Sequence, residues 1–421
     1  MRTFLAALGL AVLAPAAPAQ PVEKRTLSAT VYYDKVHGAW LGECAGNMFG
    51  LPYEMKFIEE PGPDIQFRPD YADGARSDDD TDIEYVYLHA LEEHGIGLTY
   101  AQVAEEWKSH INRRVWVANK RARELMDEGV LPPETGHPSR NEKAWFNLSG
   151  QFTQELWGMI CPGMPATAQR FGDKFAHVVV YGESVLAAHY FGVLYAEGFL
   201  ESDVATLVNT ALSALPPESA FHHAVADVAR WHREHPRDWR AARKLLHDKY
   251  AAHWNKNSSV LNGAACTMAL LYGEGDPWPR SGRGRPDPVR DAASDRHRRV
   301  RDDFGRTILL ACMIGYDADC NAATTGGLLG LIHGASRLPE KWTAPLGDTY
   351  RNVTRDGLPD QERISDIAHR IVAIGEQVIE ANGGYVRDRD GDEEYVILRQ
   401  RPFLAPLDPK VEGDGRWVPG A

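Results

Sequence analysis

Apolar residues recur at three- and four-residue spacing along most of the chain. The segments "AQVAEEWKSHI" (101–111), "ESVLAAHYFGVLYAEGF" (183–199), "GRTILLACMIGY" (305–316) and "ISDIAHRIVAIGEQVIEANG" (364–383) each carry such a stripe. That period predicts amphipathic helices, the last of them closed by Gly383 as a C-terminal cap. Period-two alternation is almost absent before Gly384. After it, "YVRDRDGDEEYVILR" (385–399) reads as two short strands around an Asp-Gly turn. The expected fold class is therefore all-α, a helical domain over 28–382 with a small C-terminal β-hairpin and tail over 383–421. Within the helical body, "EGDPWPRSGRGRPDPVRDAASDRHRRVRDD" (274–303) is rich in Pro, Gly and Arg and has no apolar face. Residues 277–303 are expected to be an exposed insertion between two helices. No internal repeat is evident.

The N-terminus follows a different pattern. In "MRTFLAALGLAVLAPAAPAQ", Arg2 supplies a positive charge, Phe4 to Leu13 a short apolar run, and Ala17-Pro18-Ala19 a small-residue cleavage site. That order predicts a signal peptide over residues 1–19 and an exported protein, periplasmic or secreted. The apolar run is too short to span a bilayer, and no second candidate follows it. The net charge of −13 argues against nucleic acid or an anionic membrane as partner, since both select basic patches. Five cysteines without short-range spacing allow at most one or two disulfides. Cys44, Cys266 and Cys312 lie among apolar or small residues, as buried thiols do.

Charge is concentrated at two predicted helix starts. Asp78, Asp79, Asp80, Thr81 and Asp82 precede "IEYVYLHALEEHG", whose Ile83, Val86, Tyr87, Ala90 and Leu91 form one apolar face. A helix N-terminus favours negative charge, so a solvated cap would explain this cluster taken alone. The second cluster shifts the balance. Asp317 and Asp319 precede a helix built from Ala, Thr and Gly, "GYDADCNAATTGGLLGLIHG". Such a helix has poor propensity at its glycines and gains little from its own side chains unless it packs at the centre of a bundle. Aspartates at its start would then be drawn inside, where carboxylates need cations. The two starts together offer four or five oxygen ligands, a set suited to Mg²⁺, Mn²⁺ or Ca²⁺, one ion or two.

Other motifs carry less. Asp78-Asp79-x-x-Asp82 matches the DDxxD pattern of all-α prenyl diphosphate enzymes, but the second cluster does not repeat it. Asp388, Asp390 and Asp392 invite an EF-hand reading, yet Gly391 is misplaced for that loop and no Glu follows at position twelve. The sixteen histidines include no pair at the His-Glu-x-x-His spacing of zinc sites. His222-His223 fits a surface helix and His333 a helix C-terminus. Trp116, Trp145 and Trp157 could stack a sugar or base, although buried core aromatics are the ordinary case.

With these residues in view, the sequence resembles the ADP-ribosylglycohydrolase family, which includes dinitrogenase reductase-activating glycohydrolase. "VHGAWLGECAGNMFGLPYE" (36–54) is similar to the family's Gly-rich opening, "DDDT" (78–81) to its first metal motif, and "GYDADCNAATTGGLLGLIHGASRLPEKW" (315–342) to its second. "LPPETG" (131–136), "SGQFTQELWGMICPGMP" (149–165), "AHVVVYGESVLAA" (176–188) and "LNGAACTMALLYGEGD" (261–276) resemble further segments of a family subset.

The resemblance implies an orthogonal helical bundle that hydrolyses a glycosidic bond to ribose with metal assistance. It assigns metal ligation to Asp79, Asp80, Asp317 and Asp319, with Asp78 and Cys320 in the neighbouring ligand positions, and catalytic roles to Glu54 and Asp79. It places Asn47, Gln151, Glu155, His177 and Asn321 as substrate-binding residues. Three positions depart from the family pattern: Asn47 stands for a usual Asp, Asp78 for a Thr or Ser, and Cys320 for a frequent Thr. The expected function is metal-dependent hydrolysis of an N- or O-glycosidic bond to ribose or a related furanose, on a small-molecule or glycan substrate. Export favours a glycan or nucleoside-like pentoside as an alternative to ADP-ribose. A catalytically silent metal-dependent sugar-binding protein is the alternative from another class.

Overall fold

In the computed structural model, residues 23–67, 71, 74–274, 296–389 and 391–409 are described. The expected signal peptide, most of the 277–303 insertion, Asp390 at the hairpin turn and the chain beyond residue 409 lie outside them.

The bundle is organised around two helices that touch backbone to backbone. Helix α1 (Ala29–Gly50) begins at Ser28, whose hydroxyl accepts the Val31 N–H at 3.2 Å. It carries glycine at every fourth position: Gly38, Gly42, Gly46 and Gly50. This edge lies along the small-residue helix Ala318–His333, running the opposite way, and every residue of that helix from Ala318 to Ile332 is buried. A Cβ on Gly42 would stand 2.1 Å from the Gly326 carbonyl oxygen, and one on Gly46 2.0 Å from that of Ala322. One on Gly50 would stand 2.4 Å from the Asp319 Cα. No side chain fits there, so the glycine period fixes the contact and sets Asp319 beside the end of α1. The other acidic helix start, that of α2 (Asp79–His94), faces the same end. Helix α3 (Tyr100–His110) follows, with Thr99 and Gln102 forming a capping box.

The helical body and the hairpin agree with the sequence pattern. The helix Ile364–Ala381 buries Ile364, Ile367, Ile371, Ile374 and Val378 on one face. It closes through Gly383 at φ +82°: the Gly383 and Gly384 N–H groups donate to Glu380 O and Ile379 O, both at 2.9 Å, a Schellman cap. Strands Tyr385–Arg389 and Asp392–Leu398 pair antiparallel as expected.

One correction concerns the N-terminus. Lys24–Ser28 adds a third strand to this hairpin, with Thr26 opposite Val396. Its sequence KRTLS is mostly exposed and too short to show a period. A second small sheet joins Ala75–Arg76 to Tyr350–Arg351 and Gln361–Glu362, holding the 352–356 loop near the start of α2. All five cysteines are buried free thiols. Among the described residues no helix is long and apolar enough to cross a membrane.

Candidate active site

Both acidic helix starts point into one place. Asp78 is the N-cap of α2: its carboxylate accepts the Asp79 N–H at 3.1 Å, and its carbonyl accepts those of Thr81 and Asp82. Asp317 is the N-cap residue of the small-residue helix, and its N–H donates to Asn262 Oδ1 at 3.1 Å. Ligand atoms of Asp79, Asp80 and Cys320 lie within 4.8 Å of one another, and so do those of Asp317, Asp319 and Cys320. The Cys320 sulfur thus belongs to both groups and sits between the two aspartate pairs. Glu54 arrives from the turn after α1. Two non-glycine residues in the left-handed region hold this turn against the second helix start, Met55 at φ +52° and Tyr316 at φ +62°. The Met55 N–H donates to Tyr316 O at 2.9 Å, and the Tyr316 N–H to Phe57 O at 3.1 Å. Such backbone strain costs about 1–3 kcal/mol per residue and tends to sit where a fold must position functional groups.

The electrostatics are those of carboxylates without enough cations. Burial raises the pKa of Asp79, Asp80 and Asp319 well above the ordinary carboxylate range, and their mutual charge raises them further. Asp317 is pushed up to about 8, by burial and then by Asp79, Asp80 and Glu54, against a hydrogen bond with Asp319. Glu54 is open to solvent on one side, and partial burial followed by the Asp78 charge raises it too. Burial and the surrounding aspartates push the Cys320 thiol up, so it stays protonated. Asn47 donates its Nδ2 hydrogen to Asp80 Oδ2, so the amide supports the aspartate where a carboxylate would repel it. Even so, Asp80 Oδ1 and Asp319 Oδ1 are buried with no hydrogen-bond partner among the described residues. Two orphaned carboxylate oxygens amid raised pKa values form a hard, oxygen-rich donor set, which fits a Mg²⁺-class cation.

The cluster forms the floor of a cleft of about 420 Å³. Glu54, Asp78, Asp79, Asp317, Asp319 and Cys320 line it, together with Trp116, Asn119, Asn147 and Asn257. Trp116 is 54% exposed, a free aromatic face at the wall, and its neighbour Val117 has φ +42°, strained for a β-branched residue. Trp157 instead stacks on Phe175 in the core, at 4.2 Å between centroids. No local sequence pattern marks these asparagines, which come from separate segments of the chain.

The residues expected to bind substrate do not line this cleft. Gln151 is buried, donating to Cys266 Sγ, Asn321 Oδ1 and Thr324 Oγ1 at 3.2–3.3 Å. Asn321 is buried as well and donates to Asn262 Oδ1 at 2.9 Å. Glu155 is buried and accepts from the Thr324 hydroxyl at 2.7 Å and the Gln154 N–H at 2.9 Å. It forms a second acidic group with Glu43 and Glu84, whose pKa values burial and mutual repulsion raise well above normal. Glu155 itself is pushed to about 7. Asn47 reaches the site through its hydrogen bond to Asp80. His177 stands apart: its Nε2 lies 3.1 Å from Asp408 of the C-terminal tail and its Nδ1 2.6 Å from Asp173 O.

The family model described as ADP-ribosylglycohydrolase matches residues 28–378. A curated relative, the ADP-ribosylarginine hydrolase Tri1 of Serratia proteamaculans (strain 568), is 40% identical over 70 residues. That match spans 17% of this chain and 16% of the relative's length. A solved structure titled "ADP-ribosylglycohydrolase-related protein complex" aligns over 82% of this chain and 99% of its own, at 15% identity and a TM-score of 0.47.

Proposed function

This chain belongs to the ADP-ribosylglycohydrolase family and is a hydrolase, and from that premise we propose that it cleaves an N- or O-glycosidic bond to ribose or a related furanose with a divalent cation at the two aspartate pairs. The observation that carries the metal is the pair of orphaned buried oxygens, Asp80 Oδ1 and Asp319 Oδ1, beneath a cleft lined by carboxylates. Asp79, Asp80, Asp317 and Asp319 would hold the ion. When bound, a Mg²⁺-class ion supplies charge for gripping ribose hydroxyls and polarising water.

The chain's own residues would do the rest. Glu54 stands at the cleft wall with its pKa raised by partial burial and by the Asp78 charge, a shift that favours a proton-handling role. The carboxylates around it favour the positive, oxocarbenium-like charge that develops at the sugar's anomeric carbon. Trp116 offers a stacking face, and Asn119, Asn147 and Asn257 offer donors and acceptors for hydroxyls. The name of the curated relative makes ADP-ribosyl-arginine the first substrate to try. We also place the protein outside the cytoplasm, on the order of charged, apolar and small residues in its first twenty positions.

The test is sugar release from ADP-ribosyl-arginine, ADP-ribosyl-serine and a pentoside panel by the wild type and Glu54→Gln. Loss of the proton-handling group should lower kcat by roughly 10²–10⁴-fold while substrate binding persists. Tight binding with no turnover of any compound by the wild type would instead identify a sugar-binding protein.

A further inference from the structure

Away from the cleft, α2 and α3 bring together a second group of ligands with different chemistry. His89 lies on α2, and Glu106 and His110 lie one turn apart on α3. One atom of each falls within 4.8 Å of the others. His110 Nε2 is 3.3 Å from Glu106 Oε2, and His89 Nε2 is 3.8 Å from the same oxygen. Zn–N and Zn–O bonds of about 2.0–2.1 Å place two ligands of a tetrahedral ion about 3.4 Å apart. The observed separations sit near that edge length and are long for hydrogen bonds. Glu106 Oε2 is in fact buried and has no hydrogen-bond partner among the described residues.

The surroundings aim these atoms inward. His110 Nδ1 lies 2.7 Å from the Asp356 carbonyl oxygen, which can only accept. The ring therefore donates from Nδ1 and turns Nε2 toward Glu106, the orientation of a metal-bound histidine backed by a carbonyl. A Cβ on Gly357 would come within 3.3 Å of that ring nitrogen, so the backbone closes over the far side of the imidazole. The other oxygen of Glu106, Oε1, is 2.8 Å from His94 Nε2, which fixes the rotation of the carboxylate. His89 and His110 meet at 83° with 5.1 Å between ring centres, so the two nitrogens approach from different directions.

We propose that His89, Glu106 and His110 form a second metal site that takes a Zn²⁺-class ion and fastens α2 to α3, with His94 and the Asp356 carbonyl orienting the ligands. Two imidazole nitrogens and one carboxylate select a borderline transition metal over Mg²⁺ or Ca²⁺, the reverse of the all-oxygen preference in the cleft. The sites are separate: His89 is ten residues beyond Asp79 on the same helix, about 15 Å along its axis. The partial exposure of His89 and His94 leaves a path for the ion and room for a water as fourth ligand. The Asp356 N–H also donates to His110 O at 3.0 Å, so the ion would steady the 352–356 loop as well.

The experiment uses the full chain, stripped of metal and titrated with Co²⁺ in the presence of excess Mg²⁺. Wild type should bind one equivalent of Co²⁺ with tetrahedral visible absorption, and Zn²⁺ should displace it and raise Tm. His89→Asn and Glu106→Gln should each abolish that absorption and the rise in Tm, while His94→Gln should weaken Co²⁺ binding by about tenfold. His89 sits at the rim, so its replacement keeps the test readable if changes in α3 impair folding. Absence of the tetrahedral signal in wild type, or its persistence in His89→Asn, would show an ordinary ion-pair cluster and overturn the proposal.

Discussion

Asp317 shows what the cleft does to a single residue. Its pKa of about 8 in the metal-free protein compares with about 3.9 for an unfolded aspartate. Folding therefore takes up a proton there. The associated stability is fully present below about pH 4 and is lost as pH rises through about 8. Calorimetry of EDTA-treated protein should show Tm falling across that window, and Mg²⁺ should restore most at the alkaline end, where it competes with fewest protons. Asp82 is raised less, to about 6, because the charge and hydrogen bond of Arg355 oppose its burial: Arg355 Nη2 donates to it at 2.7 Å with both side chains fully buried. Arg355→Met should cost about 3–5 kcal/mol in urea denaturation by stranding that charge, with partial recovery in the Asp82→Asn double variant. The aspartates could be read from the chain because they are consecutive, or nearly so, at helix starts. His89, Glu106 and His110 could not, because their meeting depends on how α2 packs against α3. Gln151, Glu155 and Asn321, expected to bind substrate, instead hydrogen-bond to buried core partners away from the cleft lining, a distinction that motif spacing does not carry.

At the scale of elements, the contact between α1 and Ala318–His333 makes the site. Gly46→Ala would drive a Cβ to 2.0 Å from the Ala322 carbonyl oxygen, and backbone on both sides leaves no flexible atom to yield. The expected loss is about 3 kcal/mol, the upper end for overpacking, accompanied by weaker metal binding because Asp319 and Cys320 begin that same helix. Thermal melts and metal titration of the one variant check both effects. A destabilised protein with unchanged metal affinity would separate the glycine contact of α1 from the site. The central position of the small-residue helix could be argued from its composition, and the helix cap at Gly383 from glycine after a periodic run. Lys24–Ser28 is not legible in the sequence because a strand that completes a distant hairpin needs little hydrophobic signal of its own.

For the whole molecule, the C-terminal segment is tied back to the body by Asp408, which accepts the Gly182 N–H at 2.7 Å and faces His177. Burial alone would depress the His177 imidazole, but the hydrogen bond and charge of Asp408 outweigh it and raise the pKa above the ordinary 6.5. This contribution is fully present below about pH 6.5 and fades as pH rises through the raised value. Limited proteolysis near residue 408 should accordingly be faster at alkaline than at mildly acidic pH, and His177→Asn should remove the difference. The bundle gathers both aspartate pairs at one centre, and the proposal is that this centre hydrolyses a glycoside through its metal. The direct measurement is ADP-ribose release from ADP-ribosyl-arginine by one preparation assayed as isolated, after metal removal, and after Mg²⁺ is returned. Turnover that vanishes on stripping and recovers on addition is the expected result; undiminished turnover in verified metal-free protein would contradict it.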